Sequence, residues 1–193
     1  MSKQGKIRAF IAIELPAAIK DALSSAQELL RSELTGHTGL SWTKIETIHL
    51  TLQFLGDIDQ GKTDDIADVL DDVAKQVHPF TLGTTEIGAF PSLKRPRVIW
   101  AGLNTSNELA ELKDLIDDGL VKLGFEKEER SFKPHLTICR VKALSSRRAA
   151  AKAIQSGLKL EKNEFKVNEF SLFRSILKKG GAEHLVLKSF LLT

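Results

Sequence analysis

The sequence predicts a mixed fold of strands and helices arranged as an internal two-fold repeat. Three observations lead there. Apolar residues recur at period two in some stretches and at helical spacing in others, and the two patterns alternate along the chain. The tetrapeptide His49-Leu50-Thr51-Leu52 is echoed by His135-Leu136-Thr137-Ile138, each copy following a predicted helix and a loop. Composition is ordinary globular usage, 42% hydrophobic and 27% charged over 193 residues, which predicts a single domain across residues 1–193 with a sizeable core.

Residues 7–15 read as a strand from their Ile, Phe and Ala content. Pro16 suits the first turn of a following helix whose Ile19, Leu23, Ala26, Leu30 and Leu34 share one face, and Gly36 and Gly39 end it. From Ile48 to Phe54 the pattern alternates. This predicts Ile48, Leu50, Leu52 and Phe54 on one side and His49, Thr51 and Gln53 on the other. Gly56 and Asp57 break that strand. Thr63 as N-cap, with Asp64 and Asp65 in the first turn, opens a helix carrying Ile66, Val69, Leu70, Val73 and Val77 inward, and His78-Pro79 closes it.

Strands are predicted next at 80–88 and 97–103 around a turn-rich segment, then a helix near 107–123 with Leu109, Leu112, Ile116, Leu120 and Leu123 on one face and Gly124 as its stop. A second alternating strand covers the His135 copy. A helix over 146–156, capped by Ser145 and stopped by Gly157, precedes strands near 164–174 and 184–192.

Charge and cysteine content exclude several function classes. The 28 basic and 25 acidic residues leave a net +3, too mild to coat nucleic acid by bulk electrostatics, so an anionic substrate has to be met by a local cluster. Cys139 is the sole cysteine. It forms no internal disulfide and no cysteine-based zinc site, which fits a reducing, cytoplasmic setting. No apolar stretch approaches the roughly 18 residues of a membrane span, and the run Ala9 to Ile13 is too short for a signal segment. With no apolar surplus, a monomer is expected.

The repeat carries the chemistry. Side chains of a strand alternate, so His and Thr at i and i+2 share a side in both copies, with Leu between them facing the core. If the two strands lie side by side about a pseudo-two-fold axis, two imidazoles and two hydroxyls face one cleft. One ring can act as base on water while the other, protonated, gives its proton to a departing oxygen, a pairing suited to displacement at phosphorus. The threonines can donate hydrogen bonds to phosphate oxygens without adding charge. A single His in such a strand is more often structural; two copies in matching contexts argue for function. Two histidines without a nearby Cys or a shared carboxylate pattern fall short of a zinc ligand set.

Those strands come with Arg8-Ala9-Phe10-Ile11-Ala12, Trp42, Phe54-Leu55-Gly56, Gly88-Ala89-Phe90-Pro91, Pro96-Arg97-Val98-Ile99-Trp100, Arg130-Ser131-Phe132-Lys133-Pro134-His135 and Phe170-Ser171-Leu172-Phe173-Arg174-Ser175. Together they resemble the two-histidine (2H) phosphoesterases, and within them the RNA 2′,3′-cyclic phosphodiesterases, also called 2′-5′ RNA ligases. The resemblance runs from Arg8 to the last strand. It implies an α+β, bilobal, pseudo-two-fold fold: two antiparallel sheets line a central cleft, with helices outside. The implied activity is hydrolysis of RNA or nucleotide 2′,3′-cyclic phosphate ends to 2′-phosphomonoesters without metal or other cofactor. The alternatives are reversible 2′-5′ joining of RNA halves and a non-catalytic nucleotide-binding module.

Carried onto this chain, the resemblance makes His49 and His135 the catalytic imidazoles, with His49 as donor to the leaving 3′ oxygen and His135 as base. Thr51 and Thr137 become the phosphate-oxygen donors. Arg130 is a candidate for neutralising the phosphate, its alternative being a solvated loop arginine, and Phe132 for stacking on the terminal base, its alternative being a strand-edge core residue. The chain departs from the family pattern twice. His184 stands where a Tyr is usual, in a chain with no Tyr, and Ser131 replaces the proline of an Arg-Pro-Phe segment.

Overall fold

A computed structural model describes residues 5–128, 131–158, 160–178 and 181–193. In chain order the elements are β1 (Lys6–Glu14), α1 (Ala17–Glu33), β2 (Leu40–Trp42), β3 (His49–Asp59), α2 (Thr63–Ala74), β4 (Phe80–Phe90) and β5 (Val98–Leu103). They continue with α3 (Asn107–Val121), β6 (His135–Val141), α4 (Arg147–Gln155), β7 (Glu164–Val167), β8 (Glu169–Lys178) and β9 (Gly181–Leu191). Short 3₁₀ turns at Ile45–Thr47, Gln60–Lys62 and Leu144–Ser146 lead into β3, α2 and α4.

Among the described residues all strand pairs are antiparallel and form two sheets, ordered β3-β1-β8-β9 and β2-β6-β5-β4-β7. The expected α+β architecture of two antiparallel sheets plus helices is thus what the chain adopts. Each half repeats one plan: a strand, a helix, then an antiparallel return strand that begins with His, as β1-α1-β3 and β5-α3-β6.

The buried faces of both sheets and of all four helices meet in one core cluster running from Ile7 to Leu192. Helix α1 contributes Ile19, Leu23, Ala26, Leu30 and Leu34, the face its spacing predicts. Strand β1 sorts its side chains both ways. Ile7, Ala9, Ile11 and Ile13 enter this core, while Phe10 and Ala12 join Phe173 of β8 in a separate small cluster on the opposite, open face of the first sheet.

Several expectations are corrected. Gly56 and Asp57 do not break the strand, since β3 runs through both to Asp59, paired with Ala9 and Arg8. Phe54 does not share a side with Leu52: it is 67% exposed, and Leu55 is buried instead. Two bulges in β3, at Leu52 and Leu55, shift the register so that Phe54 comes opposite Phe10. Residues 164–174 do not make one strand, because the chain passes from one sheet to the other at Asn168, whose carbonyl accepts from the Leu192 amide at 2.8 Å. Ser145 does not cap α4; the N-cap is Ser146, and its hydroxyl donates to the Thr38 carbonyl at 2.7 Å, joining the start of α4 to the chain before β2. Thr63 is the first residue of α2 rather than its cap, and its hydroxyl donates to the Gln60 carbonyl at 2.6 Å. Among the described residues no helix is long and apolar enough to cross a membrane.

Candidate active site

His49 and His135 are the first residues of β3 and β6, and these two strands lie against each other where the sheets meet. The two rings are held in the same way. His49 Nδ1 is 2.9 Å from the Thr47 carbonyl and His135 Nδ1 is 2.7 Å from the Lys133 carbonyl, each two residues back. A carbonyl only accepts, so Nδ1 carries a proton in both, which leaves Nε2 of each ring as the nitrogen able to take up or give one. An aromatic ring braces each imidazole: Phe10 stacks on His49 with centroids 4.6 Å apart, and Phe90 meets His135 edge-on at 4.9 Å.

Thr51 lies opposite Ala12 and Thr137 opposite Trp100, both half-buried. Immediately after each threonine comes a β-bulge: Leu52 has no partner on β1, and Ile138 has none on β5. Both bulged residues are buried in the core. A bulge adds a residue and local twist, and it re-aims the side chains beyond it. In β3 this turns Gln53 off the side of His49 and Thr51 and sets it opposite core-facing Ile11, while Phe54 comes onto the open face, 6.1 Å from the Phe10 ring. In the second half, Trp100 packs against Gly88, where a Cβ would stand 2.3 Å from the indole, so only glycine permits that close approach beside Thr137.

Beside His49 opens a cavity of about 500 Å³, lined among others by Glu14, Lys44, Phe173, Lys178 and His184. Its size falls in the usual range for small-molecule sites, roughly 300–1,000 Å³. His184 sits edge-on to both Phe10 and His49, with centroids 4.9 and 5.2 Å away. Burial pushes the His49 pKa down to about 4, the Thr47 hydrogen bond opposes this, and the nearby His184 adds to the lowering. Burial also lowers His184. The His49 ring is therefore uncharged at neutral pH. Cys139, four residues past His135, is buried, and that burial pushes its thiol up to about 11, leaving it unreactive.

The other sequence-predicted residues fall elsewhere. Arg130 lies outside the described residues. Phe132 is half-buried, packed against the main core and beside Lys113, whose Nζ is 5.9 Å from its ring. Among the described residues no group of three or more His, Cys, Asp or Glu is placed to hold a metal ion. Sequence reasoning missed Lys113 and Asp117, both buried on α3. Their i, i+4 spacing permits an ion pair, but nothing in the sequence marks that pair as buried.

The two halves also appear in comparison with known proteins. The model of the LigT-like phosphoesterase family matches residues 13–100 and 103–182, so each matched stretch holds one His-x-Thr strand. A protein of Methanothermobacter thermautotrophicus named RNA 2′,3′-cyclic phosphodiesterase is 33% identical over 185 residues, covering 96% of this chain and 98% of its own. A Methanocaldococcus jannaschii protein of the same name is 32% identical, covering 95% and 100%. Among solved structures, one from Thermus thermophilus superposes with a TM-score of 0.78 at 26% identity, over 96% of this chain and 98% of that one. E. coli LigT gives 0.74 over 98% and 99%, at 23% identity a likeness of fold alone. With the family model spanning both halves and relatives matching end to end, this chain belongs to the LigT-like phosphoesterase family.

Proposed function

We propose that this protein hydrolyses 2′,3′-cyclic phosphate ends of RNA or nucleotides to 2′-phosphomonoesters, using its two imidazoles and no metal. One observation carries the reading. Two histidines begin two adjoining strands, each with Nδ1 tied to a carbonyl and each followed by a threonine and a bulge. The names of the archaeal relatives support the substrate class.

In the proposed step His135 Nε2 takes a proton from water as its oxygen bonds to phosphorus. The P–O3′ bond breaks, and His49 Nε2 gives its proton to the departing 3′ oxygen. The surroundings of His49 hold its ring uncharged at neutral pH, so in this assignment it takes up that proton together with the anionic phosphodiester, whose charge raises the ring's affinity for it. Thr51 and Thr137 donate to the non-bridging oxygens, and Arg130, ahead of β6, supplies a balancing cation. A strained five-membered ring needs no larger apparatus.

The test is an oligoribonucleotide bearing a terminal 2′,3′-cyclic phosphate, incubated with the protein in EDTA. The expected product is the 2′-phosphomonoester. Release of the 3′ isomer would reverse the leaving group, strict dependence on a divalent ion would overturn the mechanism, and net joining of RNA halves would favour ligation.

Base stacking is assigned to Phe54. Its exposed ring shares the open face with Phe10 and His49, whereas Phe132 is set against the core beside Lys113. Stacking of a base on an aromatic side chain contributes about 1–3 kcal/mol. Phe54→Ala is therefore expected to raise KM for the oligonucleotide about tenfold with kcat nearly unchanged. An unchanged KM in steady-state kinetics removes the platform.

A further inference from the structure

A buried ion pair lies outside the proton-transfer apparatus yet touches the strand of one catalytic histidine and the approach to the other. Lys113 and Asp117 stand one turn apart on α3, 6% and 5% exposed, and Lys113 Nζ pairs with Asp117 Oδ2. The same ammonium donates to Gln53 Oε1 at 3.2 Å and lies 5.9 Å from the Phe132 ring. Gln53 is two residues past Thr51 on β3, turned toward α3 by the bulge at Leu52. Phe132 is three residues before His135.

We propose that Lys113 is a positioning residue that sets the separation of the two His-x-Thr strands, holding β3 through Gln53 and the lead-in to β6 through Phe132. This rests on the phosphodiesterase reading of the cleft. The pair is a poor source of stability. Taking two charges out of water is costly, and Asp117 Oδ1 is buried with no hydrogen-bond partner among the described residues. What it supplies is direction. An ammonium with three donors can bind Asp117 on its own helix and Gln53 on β3 while its charge lies near an aromatic ring, and apolar side chains of similar volume specify no such geometry. Two imidazoles that must reach one phosphorus atom are sensitive to that geometry, since a misplacement of about 1 Å can cost about 10²-fold in rate.

The test replaces the pair as a unit, Lys113→Met with Asp117→Leu, so that neither charge is left unpaired. Gln53→Leu, at a half-buried site, is made separately to cut the tether from the other end. Both proteins are expected to melt within a few degrees of the wild type. The double variant is expected to lose about tenfold or more in kcat, Gln53→Leu a smaller part of it, and Lys113→Arg to recover most of the rate. The His49 and His135 ring proton resonances are expected to shift in the double variant.

Wild-type kcat in either Gln53→Leu or the folded double variant, or unmoved ring resonances, would overturn the assignment. Should the double variant fail to fold, Gln53→Leu decides the matter alone. Failure of the phosphodiesterase reading shows separately, as a wild-type protein that turns over no cyclic phosphate; the ring resonances then still report whether the pair positions the histidines.

Discussion

Replacing either His49 or His135 by Ala is expected to lower turnover of an RNA 2′,3′-cyclic phosphate end by about 10²- to 10⁴-fold, the range that one positioned proton transfer supplies. The two losses should not add. With one imidazole gone the other has no partner step, so the double variant should be little slower than the worse single one. Neither change is expected to unfold the protein, because each ring stands at the first residue of its strand and each Nδ1 bonds a carbonyl only two residues away. The measurement is single-turnover hydrolysis in EDTA, with circular dichroism to show that the variants stay folded. If either variant keeps more than a tenth of the wild-type rate, the rings do not form an acid-base pair.

The repeat that suggests this chemistry was legible because it lives in local patterning. His and Thr two residues apart must share a side of a strand, and the Leu between them must face the core; Leu50 and Leu136 are fully buried. Helix α1 was legible for the same reason, since five apolar residues at helical spacing have one place to go. The bulge just beyond each threonine was not legible. A bulge is decided by pairing with a distant strand, and nothing in Leu52 or Ile138 announces it, so strict alternation put Phe54 on the wrong side and left Gln53 facing the cleft.

Long-range partners explain the other differences. Ser146 makes its bond with Thr38, far away in sequence, and the break at Asn168 exists because β7 pairs with β4 while β8 pairs with β1. Lys113 and Asp117 are charged residues on an apolar face, and only the fold shows that they are buried as a pair rather than exposed.

The second large effect is on stability, and it arises from the same ring. The proton affinity of His49 is lower in the folded protein, at about 4, than its ordinary value of 6.5, mainly because burial disfavours the charged imidazole. Between those values the unfolded chain binds a proton that the folded one refuses. The stabilising contribution of the neutral ring is therefore fully present above pH 6.5 and is lost as the pH falls toward 4. At about 1.4 kcal/mol per unit, the loss is about 3 kcal/mol.

Carboxylates titrate over part of this window too, so the informative quantity is the difference between wild type and His49→Asn. Urea unfolding at about pH 7 and about pH 4 should show the wild type losing about 3 kcal/mol more than the variant. Inorganic phosphate should shrink that gap, because an anion beside the ring restores its proton affinity in the folded state, as the substrate does in the proposed step. Equal losses in the two proteins would mean that His49 is not held neutral by its surroundings. A gap that phosphate leaves unchanged would mean that the anion does not bind beside it.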